Sequence, residues 1–221
     1  MTRLSSLAGL AVAATVLLTG CGSVPGFNPG VGVRVDDATF SMDEVADLSS
    51  AYCEAVETQL QEGQMVANSM ISQQVAGSLA LRSAAEQFAA AAGVAPDAAY
   101  AQSEQQLEAS IADLTPAQQE AVRRVNLAEP YAQAVQLAVG KQAGSTDAQA
   151  ALAAGQDEFT TWLGEQDVRI DPRFAVSIDE GTLAPATTEL SYSVSDTATR
   201  AAATEPDPTY AAELPQSQRC G

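Results

Sequence analysis

Alternation of apolar and polar residues at period two, the mark of a half-buried strand, is convincing in two places only, at opposite ends of a long helical stretch. In "VGVRVDDATF", Val31–Phe40, the valines 31, 33 and 35 alternate with Gly32 and Arg34, Asp36-Asp37 offer a turn, and Ala38, Thr39 and Phe40 lead back. In "DVRIDPRFAVSI", Asp167–Ile178, Val168 and Ile170 flank Arg169, and Phe174, Val176 and Ile178 alternate with small residues. A lone hairpin is marginal in water, so the first stretch needs a further strand, and the second can supply it. The predicted fold is mainly α: a five-helix body inserted between strands of a small antiparallel sheet that joins the N- and C-terminal parts of the domain. Pro172 has no N–H for a ladder and belongs at an edge, a bend or a bulge.

Between these stretches the apolar period is three to four. Ser41 with Glu44 is a capping box, and Val45, Leu48, Tyr52, Val56 and Leu60 make one stripe, which predicts a helix from Met42 to about Glu62 stopped by Gly63. A second spans about Ser69–Ala92, carries Ile71, Val75, Leu81, Ala85 and Phe88, and ends at Gly93. A third, about Pro96–Asp113, has a thin face of Tyr100, Leu107 and Ile111. Thr115, Pro116 and Gln118 start a fourth; Pro130 should kink or restart it, and Gly140 should end it. Thr146 with Gln149 caps a fifth, which runs to about Leu163 or Glu165. Phe159, Trp162 and Phe174 are expected to fasten that helix to the sheet.

The chain opens on Arg3 and an apolar run, Leu7–Leu18, too short for a stable spanning helix, followed by Leu18-Thr19-Gly20-Cys21. Together these match the signal peptide and lipobox of bacterial lipoproteins, which assigns residues 1–20 to the signal peptide and Cys21 to lipidation. The expected location is the extracytoplasmic face of the cell membrane, with acyl chains in the lipid bilayer. Residues 22–30, "GSVPGFNPG", read as a flexible tether. Two further cysteines, Cys53 and Cys220, form an even pair in an oxidising compartment. They either join as a disulfide or stand as a small buried helix residue and a free thiol. From residue 184 to 221 the sequence is a low-complexity tail. "LSYSVS", Leu190–Ser195, could lie on the body, and Thr197–Gln218 is expected to be disordered unless a disulfide pins its end.

Charge and composition exclude several classes of function. The formal net charge is -18, and removal of residues 1–20 takes away one arginine and no acid, leaving -19. Nucleic acid is therefore not an expected partner, since phosphate binding needs a cationic surface. Histidine is absent, which removes the usual general base and the commonest metal ligand, and neither a zinc spacing nor a phosphate-binding glycine loop is present. Asp36-Asp37 and Asp43-Glu44 offer oxygen ligands for calcium, but they read as a turn and as helix N-terminal charges. No catalytic residue, metal or cofactor is expected. Met42, Met65 and Met70 are the methionines downstream of the signal, and flexible thioethers suit either an adaptable polypeptide-binding groove or ordinary core filling.

Three stretches carry a resemblance. "VDDATFSMDEV" looks like the Val-Asn-Gly-x-x-Ile-Thr-x-x-Glu-Val opening of the N-terminal chaperone module of SurA-type and PrsA-type foldases, through Val35, Asp36, Asp37, Phe40, Ser41, Glu44 and Val45. "AEQFAAAAGVAPD", Ala85–Asp97, resembles their helix end followed by Gly-Val. "VRIDPRF", Val168–Phe174, resembles the Val-x-Val-x-Pro-Arg-[Tyr/Phe]-Gly closing strand of related lipoproteins from high-GC Gram-positive bacteria, with Ala175 in place of the glycine. The order of these motifs spans residues 31–183. The resemblance implies a holding module for unfolded or exported polypeptides, without isomerase activity because no parvulin domain or its histidines are present. The alternative is an adaptor lipoprotein that docks one dedicated cell-envelope partner.

Overall fold

The computed structural model describes residues 30–186, 194–201, 203 and 207–221. The chain runs β1 (Val31–Val35), β2 (Ala38–Ser41), α1 (Met42–Glu57), β3 (Val66–Ala67), α2 (Asn68–Ala92), α3 (Ala99–Ser110), α4 (Pro116–Asn126), α5 (Ala128–Gln142), α6 (Ala148–Leu163), β4 (Val168–Ile170), β5 (Val176–Asp179), β6 (Thr182–Pro185), α7 (Asp196–Ala201), α8 (Pro208–Glu213) and β7 (Arg219–Cys220). The hairpin and the distant strand meet: the first sheet has the order β2-β1-β4, with both pairings antiparallel. Val33 faces Ile170 and Val35 faces Val168, and Val33 and Val35 are fully buried. Asp36 takes φ +49° at the hairpin turn. Its N–H donates to Asp167 O at 3.0 Å and its carboxylate accepts the Asp167 N–H at 2.9 Å. The architecture is mainly α, with the helices inserted between strands of a small antiparallel sheet.

The second stretch contributes less to that sheet than expected. After β4 the chain bends through a 3₁₀ turn, Pro172–Phe174, and Ala175 enters the left-handed region at φ +50°. β5 therefore leaves the sheet and forms a separate hairpin with β6, a strand that its small residues and Pro185 concealed. This hairpin lies on α2 at Gly77, where a Cβ would come within 3.1 Å of Val176 and 3.2 Å of Leu183.

Helix α2 is the centre of the body. Val75, Ala76, Leu81, Ala84 and Ala85 are at most 1 % exposed, and a helix apolar on nearly every side must be surrounded. It packs against α1, α4, α5, α6 and the first sheet. Phe159 and Trp162 of α6 fasten onto Phe88 of α2, with ring centroids 5.1 and 5.6 Å away. Phe174 instead packs beside Gly32 of β1.

Several helix limits differ from expectation for local reasons. α1 ends at Glu57 rather than Glu62, because the Thr58 hydroxyl donates to Ala55 O at 2.7 Å and closes the last turn. α3 is shorter at both ends, Ala99–Ser110. The fourth helix does restart, at Leu127, which gives the body six helices rather than five; Pro130 falls in the first turn of α5, where its missing N–H is no loss. Gly140 does not terminate α5. It lies inside the helix because a Cβ there would collide with the Ala151 carbonyl of α6, and Gly155 of α6 faces Gln136 of α5 in the same way. Asp147, not Thr146, caps α6 by accepting the Ala150 N–H at 2.9 Å.

At the C-terminus the stated exception applies, since a disulfide pins the end of the chain. Among the described C-terminal residues, α7 and α8 are helical, and β7 pairs antiparallel with β3, Val66 opposite Cys220 and Ala67 opposite Arg219. Cys53 and Cys220 are joined as a disulfide across 167 residues of sequence. Closing so long a loop removes on the order of 5 kcal/mol of chain entropy from the unfolded state. Of the stretch "LSYSVS", only Val194 and Ser195 lie among the described residues.

Candidate polypeptide-binding groove

A groove of about 460 Å³ opens between α1, α2, β3 and the β5–β6 hairpin. Helical spacing puts Tyr52 and Val56 of α1 on one wall, Met70 and Ile71 of α2 form the floor, and Val66 of β3 closes one end. The hairpin supplies Val176, Leu183, Ala184 and Pro185 opposite. The close approach at Gly77 sets the hairpin's distance from α2, and Gln73 Nε2 donates to Ala175 O at 3.0 Å to fix its start. Gln73 and Gln74 are the polar lining, and among the described residues no charged side chain lines it. Burial pushes the Tyr52 phenol up, and its hydroxyl donates to Asn126 Oδ1 at 3.0 Å, so this wall stays neutral. The arrangement can hold apolar segments without reading their charge.

Two of the three methionines come together here. Met70 belongs both to the groove and to a smaller adjoining pocket that it shares with Met65. That pocket is roofed by the C-terminal residues Arg200, Asp207, Tyr210 and Ala211. Met42 is elsewhere: at the start of α1 it packs beside Gly32 and belongs to the core surroundings of the sheet. The strand residues 183–185 and 66 were not legible as groove walls, because a two-residue strand and a Pro-ended one carry no measurable period. The available signals were Met70 and the i, i+4 pair Tyr52 and Val56.

A second cleft, about 470 Å³, lies between β2, α2, α3 and α4 and is lined by charge. Arg82 reaches across it, its guanidinium 3.7 Å from the Tyr131 ring centroid. It donates to Tyr100 Oη at 2.9 Å and to Glu86 Oε1 at 2.6 Å. Burial works against the charge on Arg82, but those two hydrogen bonds outweigh it and raise its pKa further. Arg123 is paired with Glu108, and Arg124 with Glu120 at 2.7 Å. Since each guanidinium already has a carboxylate, this cleft is an internal brace between α2, α3 and α4 rather than an anion site.

Among the described residues, one group of three potential metal ligands gathers within 4.8 Å: Cys53, Glu57 and Cys220. Both of its sulfurs are committed to the disulfide, so it offers one carboxylate. Asp36 is engaged with Asp167 and Glu44 accepts the Ser41 N–H at 2.8 Å, consistent with turn and cap roles. Cys21 and residues 1–20, read above as a signal peptide, lie outside the described residues. No helix among the described residues is long and apolar enough to cross a membrane. No protein-family model, curated protein or solved structure matches the chain.

Proposed function

We propose that this chain is a lipid-anchored, extracytoplasmic protein that holds unfolded or exported polypeptides, without isomerase activity. The observation that carries the reading is the largely apolar groove at Met70, whose lining among the described residues carries no charge and comes from two helices, β3 and a hairpin. Adaptable thioether and aliphatic lining favours many weakly specified segments over one shaped ligand. The lipobox at Cys21 supports the anchor and the compartment. The SurA-type resemblance supports the class, and the backbone adds to it: Ala175, at the position of that motif's glycine, holds the left-handed φ that glycine favours.

The test is suppression of aggregation. The purified protein, at modest molar excess, should slow aggregation of several chemically unfolded clients, and Met70→Glu should reduce the effect about fivefold by placing a carboxylate in the groove. No suppression with any client would overturn the reading. The disulfide favours a second reading, an adaptor that docks one envelope partner, because it fixes the surface beside the groove instead of leaving it adaptable. Crosslinking in the native envelope separates the two: many polypeptides support holding, and a single stoichiometric partner supports docking.

A further inference from the structure

The pocket between the body and the C-terminal strap is lined on the body side by Met65, Val66, Ala67, Ser69 and Met70, and Glu57 lies at its edge under Gly221. It is covered by residues 207–221: helix α8 lies on it with Ala211 buried, and after a 3₁₀ turn, Gln216–Gln218, the two residues of β7 pair antiparallel with β3. The strap's own charges are satisfied mostly within the C-terminal segment. Arg200 pairs with Asp207 at 2.9 Å and Glu213 at 2.8 Å and lies over the Tyr210 ring, while Arg219 donates to Ala212 O at 2.7 Å. Its polar ties to the body include the two-residue ladder, Asn68 Nδ2 to Ser217 O at 3.2 Å and Gly221 N to Glu57 at 3.1 Å. A two-stranded pairing this short is marginal without a covalent hold. The Cys53–Cys220 bond supplies that hold.

We infer that the β3–Met65–Met70 face is a strand-accepting surface for an extended polypeptide, occupied in the closed state by the chain's own C-terminus and uncovered when the Cys53–Cys220 disulfide is reduced. The partner's class rests on the polypeptide-holding reading above, and its chemistry is that of the strap: a short extended end that pairs with β3, preceded by small and aromatic side chains that cover two methionines. Cys220 is fully buried, whereas Cys53 is half-buried, which makes the Cys53 sulfur the accessible point of attack. A dithiol reductant attacks there as thiolate, the S–S bond breaks, and Cys220 leaves as thiolate and takes up a proton. The reductant's second thiol, as thiolate, then displaces the Cys53 thiolate, which is protonated in turn. Two electrons pass to the protein, which gains two thiols, and the dithiol becomes a disulfide. The released strap keeps its own arginine pairs, and Glu57, which loses the Gly221 N–H, is already exposed to water.

The experiment uses purified full-length protein, oxidised or reduced with a small dithiol, read by hydrogen exchange and by fluorescence anisotropy. The anisotropy probe is a labelled peptide copying residues 207–221 in which a serine replaces Cys220. Reduction is expected to raise exchange across residues 64–70 at least tenfold while the centre of α2 stays protected, and to tighten binding of the probe at least tenfold. Unchanged exchange across 64–70 overturns the inference, as does equal binding to the two forms or a failure of the reduced form to bind the probe. Cys220→Ser should reproduce the reduced state. Should that variant fail to fold, reduction of the folded wild type still decides the matter. Aggregation assays on the oxidised protein test the groove separately: loss of holding with the redox results intact would count against the proposed function and leave the strap standing.

Discussion

Ala175 holds φ +50° where β4 gives way to the β5–β6 hairpin, and an L-residue with a Cβ pays on the order of 1 kcal/mol for that conformation. The turn persists because the Ala175 carbonyl accepts from both Gln73 Nε2 and the Ala186 N–H. Ala175→Gly is therefore expected to stabilise the protein by about 0.5 kcal/mol, after the extra freedom of the unfolded chain is deducted, as measured by urea denaturation. The reverse logic holds at Gly140 and Gly155. Each lies in a helix, where alanine is ordinarily preferred by about 1 kcal/mol, but a Cβ at either would meet a carbonyl of the facing helix. Gly140→Ala and Gly155→Ala should each destabilise by about 3 kcal/mol, and wild-type stability in either variant would mean that α5 and α6 can separate freely.

Among the elements, α3 is held differently from the rest. It contributes no buried residue, and it is attached through Glu108 to Arg123 and through Tyr100 to Arg82, with Asp97 just before it bound to Lys141 at 2.7 Å. The Arg123 guanidinium holds the Glu108 carboxyl below the usual carboxylate range, and the Lys141 ammonium does the same for Asp97. A depressed folded pKa means that the attachment is in full effect above the unfolded value and is lost as pH falls through the folded one, here below about 4. Acidification from pH 7 to 3 should therefore release exchange protection in α3 while α2 remains protected, and equal loss in both helices would refute a separately held α3. That thin attachment was legible in the sequence, since Tyr100, Leu107 and Ile111 are all the stripe offers. The capping boxes at Ser41 and Thr115 and the restart near Pro130 were equally legible, because each is local chemistry. What escaped was tertiary: Gly140 has a terminator's identity but a packing role, and β3 and β7 are two-residue strands that exist only in each other's presence.

At the scale of the whole molecule, two closures tie late residues to early ones, and they overlap. The sheet brings β4 to β1, and the disulfide brings Cys220 to Cys53 inside α1, so the helical body is bounded by both. Of the groove, only the α1 wall and Met70 could be anticipated, because its other wall depends on where the second closure leaves β3 and the hairpin. The sheet is a native-state contact that disappears on unfolding, whereas the disulfide persists and restricts the unfolded chain. Its loss should therefore lower stability through the denatured state, by at most about 5 kcal/mol if that state is otherwise a free coil, less the freedom that the released strap regains in the folded state. With a urea slope of about 2 kcal/mol/M, a Cys53→Ser/Cys220→Ser double variant should unfold up to about 2.5 M earlier, in a single transition, since α2 still unites the body. A shift well below 1 M would mean that the unfolded chain is already compact without the bond. Salt discriminates between these cases. With a net charge of -18, an unfolded chain without its crosslink expands by self-repulsion at low ionic strength and contracts as salt screens it. The stability gap between wild type and the double variant should accordingly narrow from 0.02 to 0.5 M salt if the disulfide acts by confining an expanded coil, and stay constant if it acts on the folded state.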